Sequence, residues 1–296
     1  MDKRQTIKGY IFAILSAVIY GCMPLMAKYI YADGVNAATL VLLRNLLALP
    51  SLAILAYLQR KNLKIPMRSF WSLSLPAFLG CAITPVLLFS SYNFLASGTA
   101  TVFHFIYPSL VVLLGFVFLR KKMAVGTLVS IGLCFLGILL FYNPQETLHP
   151  TGVALSLLSG LTFATYVVIL PRYQALKDQG FLFTFYVALW SSIMMLGYCL
   201  ATNRLALPTT WLGWGLCLLF ALSVTTGAVV LFQQGAFIIG GEKTAILSTL
   251  EPTTGVVIGI VVFHESSRPT VLLGSALVIL ASILIAVVDM RQKNGK

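Results

Sequence analysis

The feature that most constrains this chain is its division into ten apolar runs, each long enough to cross a bilayer as a helix. They cover about residues 9–31, 36–58, 70–93, 97–119, 124–142, 151–171, 181–200, 211–238, 244–263 and 270–289, separated by charges, prolines and polar clusters. A crossing takes roughly 20 predominantly apolar residues. Open strands in lipid would leave backbone groups unpaired, and the alternating ten-residue pattern of an outer-membrane barrel is missing, so each run reads as helix. Composition agrees: 59% of residues are hydrophobic, 9% are charged and mean hydropathy is +0.94, whereas a soluble domain carries about 25% charged residues. The 296 residues leave no stretch for a separate soluble domain, so any ligand binds in or beside the membrane. The expected fold is an all-α integral membrane protein with ten transmembrane helices.

Charge sets the orientation. Lys and Arg number 20 against 8 Asp and Glu; in a soluble protein the excess would suggest nucleic acid, but here it can orient helices, and no nucleic-acid partner is expected. With a cytoplasmic N-terminus, sixteen basic residues fall on inside segments and only Arg204 and Arg268 on outside loops, which places both termini inside a bacterial inner (plasma) membrane. Lys3 to Gly21 resembles a signal peptide and Ile19-Tyr20-Gly21-Cys22 approaches a lipoprotein box, but the bulky Tyr20 and the apolar run onward to Tyr31 argue against cleavage. The five cysteines sit in apolar segments without CxxC spacing, and His104, His149 and His264 fall on separate segments, so neither disulfide nor metal site is expected. The Gly235 to Thr244 stretch lacks the Gly-Lys adjacency of a phosphate loop, and no nucleotide or other cofactor is expected.

Self-comparison gives the organisation. Gly9, Ala13, Ser16, Ala17, Tyr20 and Gly21 recur 143 positions later as Gly152, Ser156, Ser159, Gly160, Phe163 and Ala164; further on, Ala100-Thr101, Pro108, Gly115, Ser130 and Gly137 match Thr244-Ala245, Pro252, Gly259, Gly274 and Ala281 at offset 144. The chain reads as two five-helix repeats, residues 1–143 and 150–290. Five is odd, so the repeats must be inverted relative to each other, a hallmark of secondary transporters in which two copies of one shape exchange conformations about a central site.

The second copy's pattern, Ala245, Glu251-Pro252, Gly259, Glu265, Gly274 and Ala281, resembles the EamA family of the drug/metabolite transporter superfamily; the first copy keeps Ala100, Pro108, Ser130 and Gly137 but has Arg120-Lys121-Lys122 where the family often places an acid. The resemblance implies that helices 1, 3, 4, 6, 8 and 9 line a central cavity and that helices 5 and 10 buttress the bundle.

Glu251 lies eight residues into the ninth run, near the bilayer midplane, and is the only carboxylate that deep. An ionised side chain there costs at least about 2.5–3.5 kcal/mol, so it must face protein or water, be paired, or be protonated. Two readings stand: a site for a substrate amine or a proton, or a structural partner of Arg44 or of a neighbouring helix end. By the repeat, Tyr107-Pro108 corresponds to Glu251-Pro252 and His104 to Ser248; each pair is spaced by three and shares a helix face, so crossing at the pseudo-axis would bring the four together. His104 reads as a proton or carboxylate acceptor, or as a buried histidine satisfied by a hydroxyl. Arg44, with Val187 at the matching position, reads as a carboxylate clamp, a structural counter-ion for Glu251 or a snorkelling residue. Tyr20, Tyr92, Asn93, Tyr166, Gln233 and Gln234 interrupt the other lining helices; Asn93 and at least one of the glutamines are expected to face the interior because amides in lipid are costly. With Phe103 and Phe163 they suggest a cavity for a small amphipathic molecule. Gly255 and Gly259 form a close-packing signature.

The function expected is a secondary transporter, an exporter of small organic metabolites such as amino acids, working by alternating access as a monomer or homodimer with a proton as candidate coupling ion. A translocator of lipid-linked head groups is the alternative; an enzyme is not expected, for want of paired carboxylates or a nucleophile with its base. Cysteines engineered at Lys61 and Glu146 are expected to react with an impermeant thiol reagent from opposite faces of the membrane; reaction from one face would exclude the inverted arrangement.

Overall fold

The computed structural model describes residues 3–59, 65–95, 97–119, 125–140, 148–263 and 268–294. All the regular structure among them is helical. In chain order the stretches are α1 Arg4–Ala32, α2 Ala37–Leu58, α3 Met67–Ser91, α4 Thr99–Phe118, α5 Val125–Leu139, α6 Pro150–Tyr173, α7 Gly180–Ala201, α8 Trp211–Ile239, α9 in two pieces, Gly241–Leu247 and Leu250–Phe263, and α10 Pro269–Asn294. Seven of these described helices, α1 to α4 and α6 to α8, are long and apolar enough to cross a membrane; α5 and the Pro269–Leu284 part of α10 are shorter apolar helices.

Proline decides where the helices break. The pyrrolidine ring fixes φ, lacks an N–H and clashes with the carbonyl one turn back, so it suits the first turn of a helix and disrupts the turn before it. The second piece of α1 starts at Met23 beside Pro24, and that of α2 at Leu49 beside Pro50. In α4 helix gives way to a turn at Phe105 and Ile106 before Tyr107-Pro108; in α9 the turn falls at Ser248 and Thr249, before Glu251-Pro252. These two breaks occupy corresponding positions of the repeat. So do two π-helical segments, Ala77–Ile83 in α3 and Ala221–Val229 in α8, whose starts lie 144 residues apart. Such wide turns release i→i−4 hydrogen bonds locally and are frequent beside functional sites.

The most extensive packing runs between the halves. α1 packs on α8 and α9; α6 packs on α3 and α4; α2 packs on α7, and α5 on α10. Exchanging α1 with α6, α2 with α7, α3 with α8, α4 with α9 and α5 with α10 maps this set of contacts onto itself. Small residues permit the close approaches, as membrane helix pairs require. A methyl added at Gly21 would stand 2.8 Å from the Glu251 carbonyl, and one at Gly160 would stand 2.7 Å from the His104 carbonyl, so α1 and α6 each lie against the break of a helix from the opposite half. Gly255 faces the Gly21 carbonyl, which accounts for half of the close-packing signature; the side-chain surroundings at residue 259 lie outside the described residues.

At one end of the bundle the α1–α2 turn clasps the α7–α8 segment. The Asp33 carboxylate accepts hydrogen bonds from the Thr209 and Thr210 N–H groups at 2.9 and 3.2 Å and from the Thr209 hydroxyl at 3.0 Å, beside the start of α8. Desolvation pushes this carboxyl up, but the hydrogen bonds from Thr210 and Thr209 outweigh it and hold the group below the usual carboxylate range. Asn36 and Thr39 add hydrogen bonds to the Arg204 carbonyl at 2.7 and 3.1 Å.

The seam between α5 and α10 gives a direct test of this packing. A methyl at Gly137 would meet the Gly274 carbonyl at 2.8 Å, whereas one at Gly132 meets nothing within 4 Å. Gly137→Val is therefore expected to destabilise the fold by roughly 1–3 kcal/mol, with Gly132→Val within about 0.5 kcal/mol of the native protein, compared by thermal unfolding in detergent. Equal melting temperatures for the two variants would contradict the described seam.

Candidate functional site

A cavity opens where the two broken helices meet. It encloses about 490 Å³ including its mouth and is walled by Tyr20 and Met23 of α1, Arg44 of α2, Gly80, Thr84, Pro85 and Leu88 of α3, His104 and Tyr107 of α4, Phe163 of α6, Phe232 of α8, and Ser248 and Glu251 of α9. The four residues paired by the repeat, His104, Tyr107, Ser248 and Glu251, thus line one space at the interface of the halves. Helices 1, 3, 4, 6, 8 and 9 all contribute, as the family resemblance implies, but α2 joins them through Arg44. Its guanidinium is drawn inward because Arg44 is only 3% exposed and has nowhere to snorkel.

The proline breaks aim the polar groups. Pro108 and Pro252 cannot donate to the carbonyls of His104 and Ser248 one turn back, and the chain turns at those points. His104 ends the first piece of α4 and Tyr107 begins the second; Ser248 lies in the corresponding gap of α9 and Glu251 is the second residue of the piece that follows it.

The His104 tautomer follows from its partner. Nδ1 lies 2.8 Å from the Ser159 hydroxyl, and that hydroxyl spends its one hydrogen on the Ser156 carbonyl at 2.6 Å. Ser159 is therefore the acceptor and Nδ1 carries the proton, which leaves the Nε2 lone pair as the free valence of a ring that lines the cavity. Protonation at Nε2 would keep the Ser159 hydrogen bond intact. The hydroxyl expected under the purely structural reading is present, yet it satisfies only one side of the ring.

Arg44 and Glu251 stand in the same cavity without joining. Among the described residues no ion pair links them, and Arg44 Nε is buried with no hydrogen-bond partner. This corrects the structural counter-ion reading of the pair: each group is held by its own helix, α2 and α9, facing the shared space. Aromatic rings complete the wall: Phe163 stacks against Tyr107 at 4.8 Å and Phe232 at 5.3 Å between centroids, and His104 lies 5.3 Å from Tyr107.

Other candidates lie elsewhere. Tyr166 and Gln233 are buried behind the cavity, where Gln233 Nε2 donates to the Tyr166 hydroxyl at 2.9 Å and the Gln233 carbonyl oxygen accepts from Thr184. Gln234 packs its amide against Gly180 of α7, its Nε2 unpartnered. Tyr92 stacks on Phe89 at 5.9 Å, outside the cavity wall. Asn93 is a correction: α3 ends at Ser91, and Asn93 sits exposed in the turn that follows, where its amide needs no interior partner. Sequence reasoning missed Met23, Gly80, Leu88 and Phe232 as lining, and Ser159 as the partner of His104, although Ser159 stands in the repeated motif. Gly80 was legible only in three dimensions, since a methyl there would meet the Tyr166 ring at 2.7 Å.

Because Gln233 ties α6, α7 and α8 together without touching the cavity, Gln233→Leu is expected to strand the buried Tyr166 hydroxyl, while Thr184 keeps its hydrogen bond to the Gly180 carbonyl at 2.9 Å. That costs about 1–3 kcal/mol and is seen as a lowered melting temperature; an unchanged one would mean that the Tyr166 hydroxyl finds another partner.

Comparison with known proteins adds the family. The EamA-like transporter family model matches residues 7–143 and again residues 150–287. An uncharacterized transporter of Archaeoglobus fulgidus is 27% identical over 279 residues, covering 92% of this chain and 94% of its own. One of Clostridium kluyveri is 22% identical, covering 94% and 92%. The biotin transporter of Escherichia coli (strain K12) is 22% identical over 68% of each chain. A protein of known crystal structure shares the fold, with a TM-score of 0.74 at 14% identity over 96% of this chain and 98% of its own. The relatives are transporters, not enzymes, and this multi-pass membrane chain belongs to the EamA-like transporter family.

Proposed function

We propose that this protein is a secondary transporter that moves a small amphipathic organic metabolite, such as an amino acid, outward across the bacterial inner membrane by alternating access. In this reading all ten helices cross the bilayer, residues 1–143 and 150–290 form two inverted five-helix repeats, and both termini are cytoplasmic. The observation that carries it is the cavity itself. It is walled from both halves, and the helix breaks that build it, at Phe105-Ile106 and Ser248-Thr249, correspond in the repeat. Contacts that map onto themselves when the halves are exchanged support a pair of related conformations, one open to each side.

The site residues divide the work by chemistry. Phe163, Phe232 and Tyr107 offer ring faces to the apolar part of a solute. Arg44 presents donors for an acidic group, and Glu251 an acceptor for an amine or a proton. The E. coli relative, named for biotin, gives a precedent for a small organic acid as cargo within similar sequences. The lining carries Arg44 as its one permanently charged cation among the described residues, fewer than a translocator of lipid phosphates would use, so the solute reading is favoured.

Alternating access requires one position to meet water on both sides in turn. In a variant whose five native cysteines are replaced, Ser248→Cys is expected to react with an impermeant thiol reagent added to either face of oriented vesicles. Reaction from one face only, under every condition, would leave a fixed one-sided pocket and exclude this mechanism.

A further inference from the structure

The charges in the cavity set a rule for what moves together. Arg44 is 3% exposed, lines the cavity and has its Nε unpartnered. Glu251 lines the same cavity and makes no ion pair with it. With both ionised, the empty site holds one positive and one negative charge and is formally neutral. Net charge in a cavity set among apolar helices is costly, and a second carboxylate beside an ionised one is disfavoured strongly.

On the transporter reading above, we infer that the site takes an anionic monocarboxylate on Arg44 only together with one proton on Glu251, so that the cargo moves as its neutral acid, whereas a zwitterion binds without a proton. The solute carboxylate accepts hydrogen bonds from the guanidinium, the proton comes from water to a Glu251 carboxylate oxygen, and the site stays neutral throughout. An amino-acid zwitterion instead places its ammonium on ionised Glu251 and its carboxylate on Arg44, with the same net charge and no proton taken up.

The surrounding groups leave few other homes for that proton. Within electrostatic reach of Glu251 stand Tyr20 from α1, Tyr92 from the turn just after α3 and Tyr107 from α4, phenols that are neutral at ordinary pH. Cys81 of α3 and Tyr166 of α6 lie by Arg44 and Tyr20, and Cys134 of α5 reaches Tyr107; α2 adds only Arg44 itself to the wall, and α8 and α10 no titratable group. His104 is the one competing base, through Nε2, and a variant separates it from Glu251.

The test is calorimetric titration of the purified full-length protein between about pH 6 and 9, in phosphate and in Tris, whose different ionisation enthalpies reveal protons exchanged per ligand bound. The probes are phenylacetate and indole-3-acetate, their primary amides, and phenylalanine. The carboxylates are expected to reach an uptake of roughly one proton each within that range, and the amides and phenylalanine roughly none. Glu251→Gln is expected to bind the carboxylates with that uptake abolished. Arg44→Gln is expected to lower the preference for carboxylate over amide by roughly ten- to a hundredfold. Carboxylate binding without proton uptake at any pH, or the same uptake in Glu251→Gln, overturns the inference and leaves the transporter reading standing. So does binding of amides or phenylalanine with no carboxylate bound. If no probe of any kind binds, the small-solute reading fails first, and the inference with it.

Discussion

Lipid offers the backbone no hydrogen bonds, and this protein is organised around that constraint. A chain in hydrocarbon must satisfy every N–H and C=O internally, so helix is obligatory and a break is tolerated only where protein or a cavity receives the freed groups. Pro108 and Pro252 force such breaks into α4 and α9. The His104 carbonyl lies against Gly160 of α6 and the Glu251 carbonyl against Gly21 of α1, each glycine from the other half of the molecule, while the Ser248 carbonyl accepts from the Glu251 N–H at 3.0 Å. The cavity exists because those two breaks face each other. Its polar residues are in place because they flank the breaks.

The same economy explains the charges. An arginine and a glutamate set among apolar helices are tolerable only if each faces a polar space. Had Arg44 and Glu251 paired, the site would be closed chemically and the pair would be structural. Their separation leaves donors and an acceptor unspent inside a ring-lined cavity. His104 is handled the same way, with one nitrogen fixed by Ser159 and the other left for the cavity. Residues that do satisfy one another, Gln233 with Tyr166 and Thr184, sit behind the wall and hold α6, α7 and α8 together.

Symmetry here is approximate in a useful way. The packing, the breaks and the π-helical segments repeat, while the chemistry does not: Glu251 answers Tyr107, His104 answers Ser248, and Arg44 answers Val187. Framework positions are constrained by how helices approach one another, which applies equally to both copies. Site positions face a single shared space, where one carboxylate and one guanidinium suffice and a second of either would be a buried like charge.

The sequence by itself determined the apolar runs, their helical nature, the repeat at offsets 143 and 144, and the grouping of His104, Tyr107, Ser248 and Glu251, because each depends on periodicity along one helix or on correspondence between copies. Tertiary structure alone decided which polar groups reach the cavity. Gln233 and Tyr166 turn to each other, Asn93 falls in a turn past the end of its helix, Arg44 brings α2 into the wall, and Ser159 selects the histidine tautomer. These outcomes depend on the rotation of each helix about its own axis and on which neighbour it meets. Apolar patterning specifies that rotation poorly in a membrane, because the lipid-facing and protein-facing sides of a helix are alike in hydrophobicity.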